Sequence, residues 1–195
     1  MAIAVIGMLD EREPAIKMLK EEIEKRRHKT ILIDISIGTG GIVPSLEAQV
    51  TEDDVARAGG STAEEIRKMI LKERDKATSI MSSGLIKKVL ELHRAGELNG
   101  AVAIGGMTTT IISLGALKAL PFGTPKLLIS SGAALPAYAG KFAEYFGTAD
   151  ITVMHSVIDT VGLNSLVERL VINGATLFAE WSKGSNRSRN VEELP

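Results

Sequence analysis

The stretch AIGGMTTTIISLGALKAL, residues 103–120, contains a transition from strand-like to helical sequence. It runs from an apolar, strand-like segment through two glycines and three threonines into a segment of helical composition. Other short apolar runs rich in β-branched residues occur along the chain, separated by longer segments of helical period. This alternation predicts an α/β fold, with an open, mainly parallel sheet of about five strands and helices on both faces, as in Rossmann-like and flavodoxin-like proteins.

The remaining elements follow from the same periodicities. Ser61 or Thr62 is a suitable cap for a long helical segment, the group Ser82 to Gly84 is a candidate kink in it, and Gly96 is its expected stop. The predicted strands lie near 2–7, 30–35, 100–106, 125–132 and 149–156, and the predicted helices near 13–28, 61–95, 109–119, 136–145 and 161–181.

Composition narrows the class of protein. A chain of 195 residues, 45% of them hydrophobic, is long enough for one sizeable core, so we expect a single domain over residues 1–181 and a polar tail over 182–195. The net charge of −1 gives no electrostatic reason to expect nucleic acid or a membrane as partner. Cysteine is absent and no signal peptide is recognisable, which favours a cytoplasmic location.

The loops after the strands are small, polar and rich in glycine. In an open parallel sheet, ligands bind outside the carboxyl ends of the strands, so these loops are where a site is expected. The turn at 105–110 precedes a helix, whose first N–H groups attract a small anion such as phosphate. Because the turn contains no lysine, the predicted cradle is neutral. The alternative is that Thr108 and Thr109 only cap the helix.

Standard nucleotide motifs are absent from the sequence. There is no P-loop and no G-x-G-x-x-G after the first strand, which makes Asp34 a weak candidate for holding a ribose. Asp10 and Asp159 are candidate Mg²⁺ ligands, with turn capping as the preferred alternative. His155 and Ser156 are adjacent, and no nucleophile elbow surrounds the serine, so a serine hydrolase is not expected.

The motif GTADITVMHSVIDTVGLN, residues 147–164, carries a resemblance to a known family. Together with IGMLDER near the N-terminus, AIGG before a helix and LPFGTPKLLISSGA, it resembles the Tm-one-like ATP-binding domain family over about residues 1–181. The resemblance implies an α/β domain that binds ATP, with or without Mg²⁺, and implies no particular reaction.

The resemblance also suggests the nucleotide-binding residues, and no catalytic residue comes with it. They belong to the loops after the first, third and fourth strands and to the motif around the fifth. The candidates are Gly7, Asp10, Gly105, Gly106, Met107, Thr108, Thr109, Thr110, Ser130, Ser131, Gly147, Thr148, Asp150, Ser156, Asp159 and Asn164.

Two loops depart from the family's pattern. The first loop has Asp10, Glu11, Arg12 and Glu13 where D-T-K-G is usual, and the third has threonines where glycines and a serine are usual. We expect both changes to crowd the site, and the carboxylates of Glu11 and Glu13 to repel phosphate if they point inward. Family members also continue into a second, larger domain, so a separately encoded second domain is a possible partner.

Three functions remain open at this point. The leading one is a nucleotide-binding module acting with a partner chain or as a homo-oligomer. The others are an enzyme on a phosphorylated or carboxylated small molecule, with a site completed by another chain, and an interaction protein without a ligand. Self-association is expected from an apolar stripe in the segment 61–95, formed by Ile66, Ile70, Ile80, Leu85, Val89 and Leu92.

Overall fold

The structure, a computed structural model, describes residues 2–38 and 41–189. Its strands are β1 (Ala2–Gly7), β2 (Lys29–Asp34), β3 (Leu98–Gly105), β4 (Lys126–Ser130) and β5 (Thr152–His155). All pairings are parallel, and the five strands form one sheet in the order β2-β1-β3-β4-β5. The predicted open α/β fold is confirmed, and the strand order is the flavodoxin-like one.

Helices cover both faces of the sheet. They are α1 (Glu13–Lys25), α2 (Glu52–Gly59), α3 (Ala63–Met69), α4 (Arg74–Arg94), α5 (Met107–Ala119), α6 (Pro136–Phe146) and α7 (Ser165–Arg189). On one face, α1 and α7 enclose a core with Ile3 and Val5 of β1. On the other face, α2 to α6 pack over Ala4 and Ile6. The alternation of side chains along a strand thus gives each face its own core, as expected for a sheet buried on both sides.

The segment 61–95 differs from its prediction as one long helix. The helix predicted over it is divided by the turn at 70–73, and α2 before it was missed. Thr62 caps α3 as expected, since its side chain accepts from the N–H of Glu65. α4 continues through Ser82 to Gly84, where a kink was predicted. A Cβ at Gly84 would lie 1.9 Å from the carbonyl oxygen of Val55, so this glycine lets α2 approach α4 closely.

The apolar stripe of this segment belongs to the chain's own core. Three of its residues are fully buried in this core, namely Ile66, Leu85 and Val89. Three others are partly buried against it, namely Ile70, Ile80 and Leu92. The stripe therefore no longer supports self-association, which stays a prediction without this basis.

The C-terminal helix is longer than predicted. α7 begins at Ser165 and continues to Arg189, through residues that the sequence assigned to a polar tail. The last part of that tail, residues 190–195, lies outside the described residues. Within the described part, no helix has the length and apolarity needed to cross a membrane.

Candidate functional site

A crevice opens between the carboxyl ends of β1 and β3. The chain leaves β1 toward β2 and leaves β3 toward β4, so the two loops diverge at this point of the sheet. Such a topological switch point is where open α/β sheets bind ligands. A cavity of about 370 Å³ lies here, and residues of both loops line it, among them Asp10, Gly106 and Thr109. A cavity therefore lies at the loops where the sequence predicted a site.

The start of α5 forms one wall of the cavity. Its N-cap is Gly106, which provides no side chain to cap the helix, and no acidic residue stands in the first turn. The first N–H groups of a helix have no intrahelical partner and carry a partial positive charge. Thr109 is 1% exposed, and within the described part of the chain its Oγ1 has no hydrogen-bond partner. This wall offers N–H and O–H donors to an anion.

The two glycines before α5 have different roles. A Cβ at Gly105 would lie 2.3 Å from Oγ1 of Thr109, so a side chain there would displace the threonine hydroxyl. A Cβ at Gly106 would meet no backbone; the nearest atom is Oδ2 of Asp159, at 3.4 Å. Gly105 thus makes room for Thr109, whereas Gly106 leaves the space in front of the helix open.

Arg12 forms the opposite side of the cavity, between two carboxylates. Its Nη1 donates to Oδ2 of Asp10 at 2.7 Å, and its Nη2 donates to Oδ2 of Asp159 at 3.1 Å. Burial opposes the charge of Arg12, but the hydrogen bond to Asp159 and the charges of Asp10 and Asp159 outweigh it and raise the pKa of the guanidinium. Burial raises the pKa of Asp10, although the bonds from Arg12 partly offset it. Arg12 is therefore a fixed positive charge at the cavity.

A second arginine reaches the cavity from α4. Arg74 is the first residue of that helix, and its Nη2 donates to Oγ1 of Thr108 at 2.8 Å. Arg12 and Arg74 both line the cavity, so it contains charged donors that the turn alone does not provide. The carboxylates of Asp10 and Asp159 balance their charges, and the lining stays formally neutral. Arg74 was not predicted as a site residue, because the sequence predicts one continuous helix around it. The turn between α3 and α4 starts a new helix there and turns its first residue toward the site.

Apolar side chains line the rest of the cavity. Met8 and Ile37 follow β1 and β2, Ile70 precedes α4, and Met107 begins α5. The cavity thus has a charged, hydrogen-bonding part and an apolar part. This division suits a ligand with an anionic end and a flat or apolar body.

The side chain of Glu13 does not crowd the cavity, although crowding by the first loop was expected. Its carboxylate accepts hydrogen bonds from the N–H groups of Ser45 and Leu46 and from the Ser45 hydroxyl, so it holds the loop after β2. Glu11 lies near Arg12, with 3.8 Å between Oε2 and Nη1, and its side chain is exposed. Neither carboxylate lines the cavity.

Several predicted residues serve the internal order of the site. Thr110 is fully buried, and its hydroxyl bonds to the carbonyl of Gly106 and to Oγ of Ser130. Ser130 Oγ also accepts from the N–H groups of Gly132 and Ala133, which shapes the loop after β4. Ser131 is partly exposed in the same loop. None of the three serine and threonine side chains lines the cavity.

Three further candidates have structural partners at the carboxyl edge of the sheet. A Cβ at Gly7 would lie 2.5 Å from Cδ1 of Ile16, so this glycine allows α1 to pack on β1. Ser156 donates to the carbonyl of Ile158, and Asn164 caps α7 by accepting from the N–H of Leu166. Their positions are explained by packing and by turns.

The structure separates one group of predicted residues from the site. Gly147, Thr148 and Asp150 precede β5, so they lie at the amino edge of the sheet, opposite the cavity. Asp150 forms an ion pair with the fully buried Lys126 at the start of β4 and accepts from the N–H of Gly123 at 2.7 Å. This part of the predicted site is corrected, because residues before a parallel strand come to the edge that ligands do not use.

The remaining candidates are the metal ligands and the residue suggested for a ribose. Within the ranges that the structure describes, no group of three or more His, Cys, Asp or Glu side chains is arranged to hold a metal ion. Asp34 accepts from the N–H groups of Leu9 and Ser36 and from the Ser36 hydroxyl, so it organises the loop after β1. Burial raises the pKa of Asp34 against the effect of these bonds.

The sequence matches a family model over nearly its whole length. Residues 1–186 match the model described as the uncharacterised protein family UPF0261, N-terminal domain. The chain belongs to the UPF0261 family. The tomato Tm-1 proteins are also similar to the chain, which confirms the resemblance to the Tm-one-like family.

Relatives in the UPF0261 family are longer than this chain. A UPF0261 protein of Clostridium tetani (strain Massachusetts / E88) is 32% identical over 183 residues, which are 93% of this chain and 43% of the relative. A UPF0261 protein of Brucella suis biovar 1 is 30% identical over 66% of this chain and 30% of its own length. The ToMV resistance protein Tm-1(GCR237) of Solanum lycopersicum is 31% identical over 54% of this chain and 13% of its own length. The chain thus spans less than half the length of these curated relatives.

Proposed function

We propose that this chain is a nucleotide-binding module that holds the phosphates of ATP in the cavity between β1 and β3. The observation that carries the proposal is the start of α5, where the buried Thr109 Oγ1 has no partner in the described part of the chain and the helix has no side-chain cap. A buried hydroxyl without a partner costs about 1–3 kcal/mol. A phosphate oxygen at this position would accept from that hydroxyl and from the first N–H groups of the helix.

Guanidinium groups in the cavity lining support phosphate over a neutral ligand. Arg12 and Arg74 line the cavity from opposite sides, and the Nε of Arg12 is also buried without a partner among the described residues. Arginine binds phosphate oxygens through two N–H groups at once, and such charge-assisted bonds are about twice as strong as neutral ones. Two arginines and a helix start can share the oxygens of more than one phosphate group.

The apolar part of the cavity supports a nucleotide over a simple phosphate. Met8, Ile37, Ile70 and Met107 provide surface for a base, and a volume of about 370 Å³ falls within the range of small-molecule sites. Asp10 is bonded to Arg12. We therefore expect any Mg²⁺ to arrive on the phosphates of the ligand and to be held mainly by them.

A thermal-shift panel tests this function. The parent chain is heated with ATP, ADP, AMP, adenosine and inorganic phosphate, each with and without Mg²⁺. ATP at 100 times its dissociation constant should add about 2.7 kcal/mol of apparent stability, and adenosine should add much less. If no phosphate-containing ligand shifts the transition at millimolar concentration, the proposal is wrong.

A second candidate is an enzyme on a phosphorylated or carboxylated small molecule whose site is completed by another chain. Two observations favour it: both carboxylates of the cavity are bonded to Arg12, and the relatives are more than twice as long as this chain.

Exposed apolar side chains border the loop that carries Asp159, namely Val157, Val161, Leu163 and Leu166. For the isolated chain we expect a second copy to cover them. Monomeric behaviour in light scattering at high micromolar concentration would contradict this.

A further inference from the structure

The carboxylate of Asp159 stands at the place where an anion in front of α5 would bind. Its Oδ2 lies 3.1 Å from Nη2 of Arg12. A Cβ built on Gly106, the N-cap of α5, would point at this carboxylate, with 3.4 Å to Oδ2 and 3.5 Å to Oδ1. Asp159 thus lies between the guanidinium and the uncapped helix start, the two features that attract an anion here.

The two carboxylates bound to Arg12 differ in their freedom to move. The side chain of Asp10 is 7% exposed, and it also accepts from the backbone N–H of Arg12 at 3.0 Å. The side chain of Asp159 is 45% exposed and lies on a loop, where Oδ1 accepts from the N–H of Thr160. Asp10 therefore holds Arg12 in position, whereas Asp159 can turn into solvent.

We propose that Asp159 selects the ligand class of the pocket, because it occupies the anion position until a more highly charged group displaces it. This inference rests on the proposed function. A carboxylate ligand carries the same charge as Asp159 and gains little by replacing a group that the loop already holds at high effective concentration. A phosphate monoester, or the terminal phosphate of a polyphosphate, carries about two negative charges at pH 7 and offers three acceptor oxygens. The ligand class is thus a phosphate ester or polyphosphate, and simple carboxylates are rejected.

Phosphate contacts in this arrangement use groups on both sides of the cavity. A phosphate group offers three acceptor oxygens to Arg12, Arg74 and the start of α5, which all line the cavity, whereas a carboxylate offers only two. The gain over Asp159 therefore comes from contacts that only the larger anion makes.

The variant Asp159→Asn tests the proposal, since it removes the competing charge and keeps an oxygen for the N–H of Thr160. Calorimetry of the full chain is run with ATP, inorganic phosphate and acetate. We expect the variant to bind ATP and phosphate about fivefold more tightly, the equivalent of losing one competing surface ion pair, and to acquire measurable binding of acetate. A role of Asp159 as a direct ligand or Mg²⁺ contact predicts the opposite, a weaker variant.

Glu11→Gln is the matched control. It removes the same charge 3.8 Å from Arg12, on an exposed side chain outside the cavity lining, and it should leave the order of the ligands unchanged. If the parent binds ATP and Asp159→Asn binds it equally or less tightly, this inference is overturned while the proposed function stands. If neither protein binds ATP or phosphate at millimolar concentration, both are overturned. Binding of ATP by the variant alone would mean that phosphate does not displace Asp159, which overturns this inference and the proposed function of the parent chain.

Discussion

The hydroxyl of Thr108 accepts a 2.8 Å hydrogen bond from Nη2 of Arg74, which links the first turn of α5 to the first residue of α4. The two residues are 34 positions apart in the chain. This bond holds a guanidinium beside a helix start that itself attracts anions. The site is therefore built jointly by the loop after β3 and by the break between α3 and α4.

Replacing Arg74 by glutamine should weaken nucleotide binding. The variant loses a charged donor to phosphate, so we expect the dissociation constant of ATP to rise about 10- to 100-fold, corresponding to 1.5–3 kcal/mol. Stability should change by less than about 1 kcal/mol because the bond to Thr108 is exposed. Lys76→Gln is the control. It removes a positive charge from the same helix, but Lys76 pairs with Glu73 outside the cavity. Equal effects of the two variants on affinity would show that only net charge matters.

Thr109→Val should separate stability from binding. In the ligand-free chain the substitution removes a buried hydroxyl that has no partner among the described residues, so urea denaturation should give an unchanged or about 1 kcal/mol higher free energy of unfolding. ATP affinity should fall about fivefold through the lost hydroxyl contact.

Thr110→Val provides the comparison for this prediction. The Thr110 hydroxyl bonds to Gly106 and Ser130, and its loss should destabilise the chain by about 1–3 kcal/mol. A large loss of stability in Thr109→Val as well would mean that its hydroxyl has an internal role.

The two adjacent glycines should respond differently to alanine. Gly106→Ala places a methyl group in the open space before α5, 3.4 Å from Asp159, so stability should fall by about 1 kcal/mol or less while phosphate affinity falls at least about tenfold. Gly105→Ala brings a Cβ to 2.3 Å from Oγ1 of Thr109 and should cost about 1–3 kcal/mol of stability. Denaturation and calorimetry of both variants check this. A Gly106→Ala chain that binds ATP as the parent does would place the phosphate elsewhere.

Much of the fold was predictable because its determinants are local. The β-branched runs gave the five strands with ends displaced by a few residues, and the helical periods placed α1, α5 and α6 closely. The break at 70–73 was missed because its residues have no strong turn signal. The packing role of Gly84 was not predicted, because a glycine that allows close packing against Val55 cannot be distinguished in sequence from a glycine that bends a helix.

The site was predictable only where it follows a strand. The loop at 105–110 and the residues Asp10 and Asp159 meet at the cavity as expected from parallel topology, except that Thr110 turns inward. Arg74 could not be predicted as a site residue, since its proximity to the cavity depends on tertiary packing. Asp150 was assigned to the site by its motif, but a residue before a strand lies at the other edge of the sheet.

The ion pair of Asp150 with Lys126 predicts a stability effect without a binding effect. Lys126 is fully buried, and Asp150→Asn leaves its charge with neutral acceptors alone, the carbonyl of Pro121 and the amide oxygen of the substituted side chain. We expect a loss of about 2–3 kcal/mol at pH 7, less than for a fully buried pair because Asp150 is 21% exposed. ATP affinity should be unchanged. A change in the ATP affinity would mean that this ion pair at the amino edge of the sheet affects binding in the cavity.

The same pair predicts a pH dependence. Burial would raise the pKa of Asp150, but the hydrogen bonds from Lys126 and Gly123 and the charge of Lys126 outweigh it and hold the pKa below its ordinary value of 3.8. A carboxyl whose pKa is lowered by folding stabilises the protein above its unfolded-state pKa and loses that contribution as the pH falls through its folded-state value. The stabilities of parent and Asp150→Asn should differ by a constant amount from pH 5 to 7 and converge below about pH 3. A difference that grows on acidification would contradict the ion pair.

An NMR titration of the ¹⁵N-labelled chain with ATP measures whether the start of α5 holds the phosphates of a nucleotide. The amide signals of Met107, Thr108 and Thr109 should show the largest shifts and saturate together, inorganic phosphate should move the same signals at higher concentration, and the amide of Gly123 at the opposite edge should stay in place. Saturating shifts confined to residues outside the first turn of α5, or no shifts at millimolar ATP, would show that this turn does not hold the phosphates.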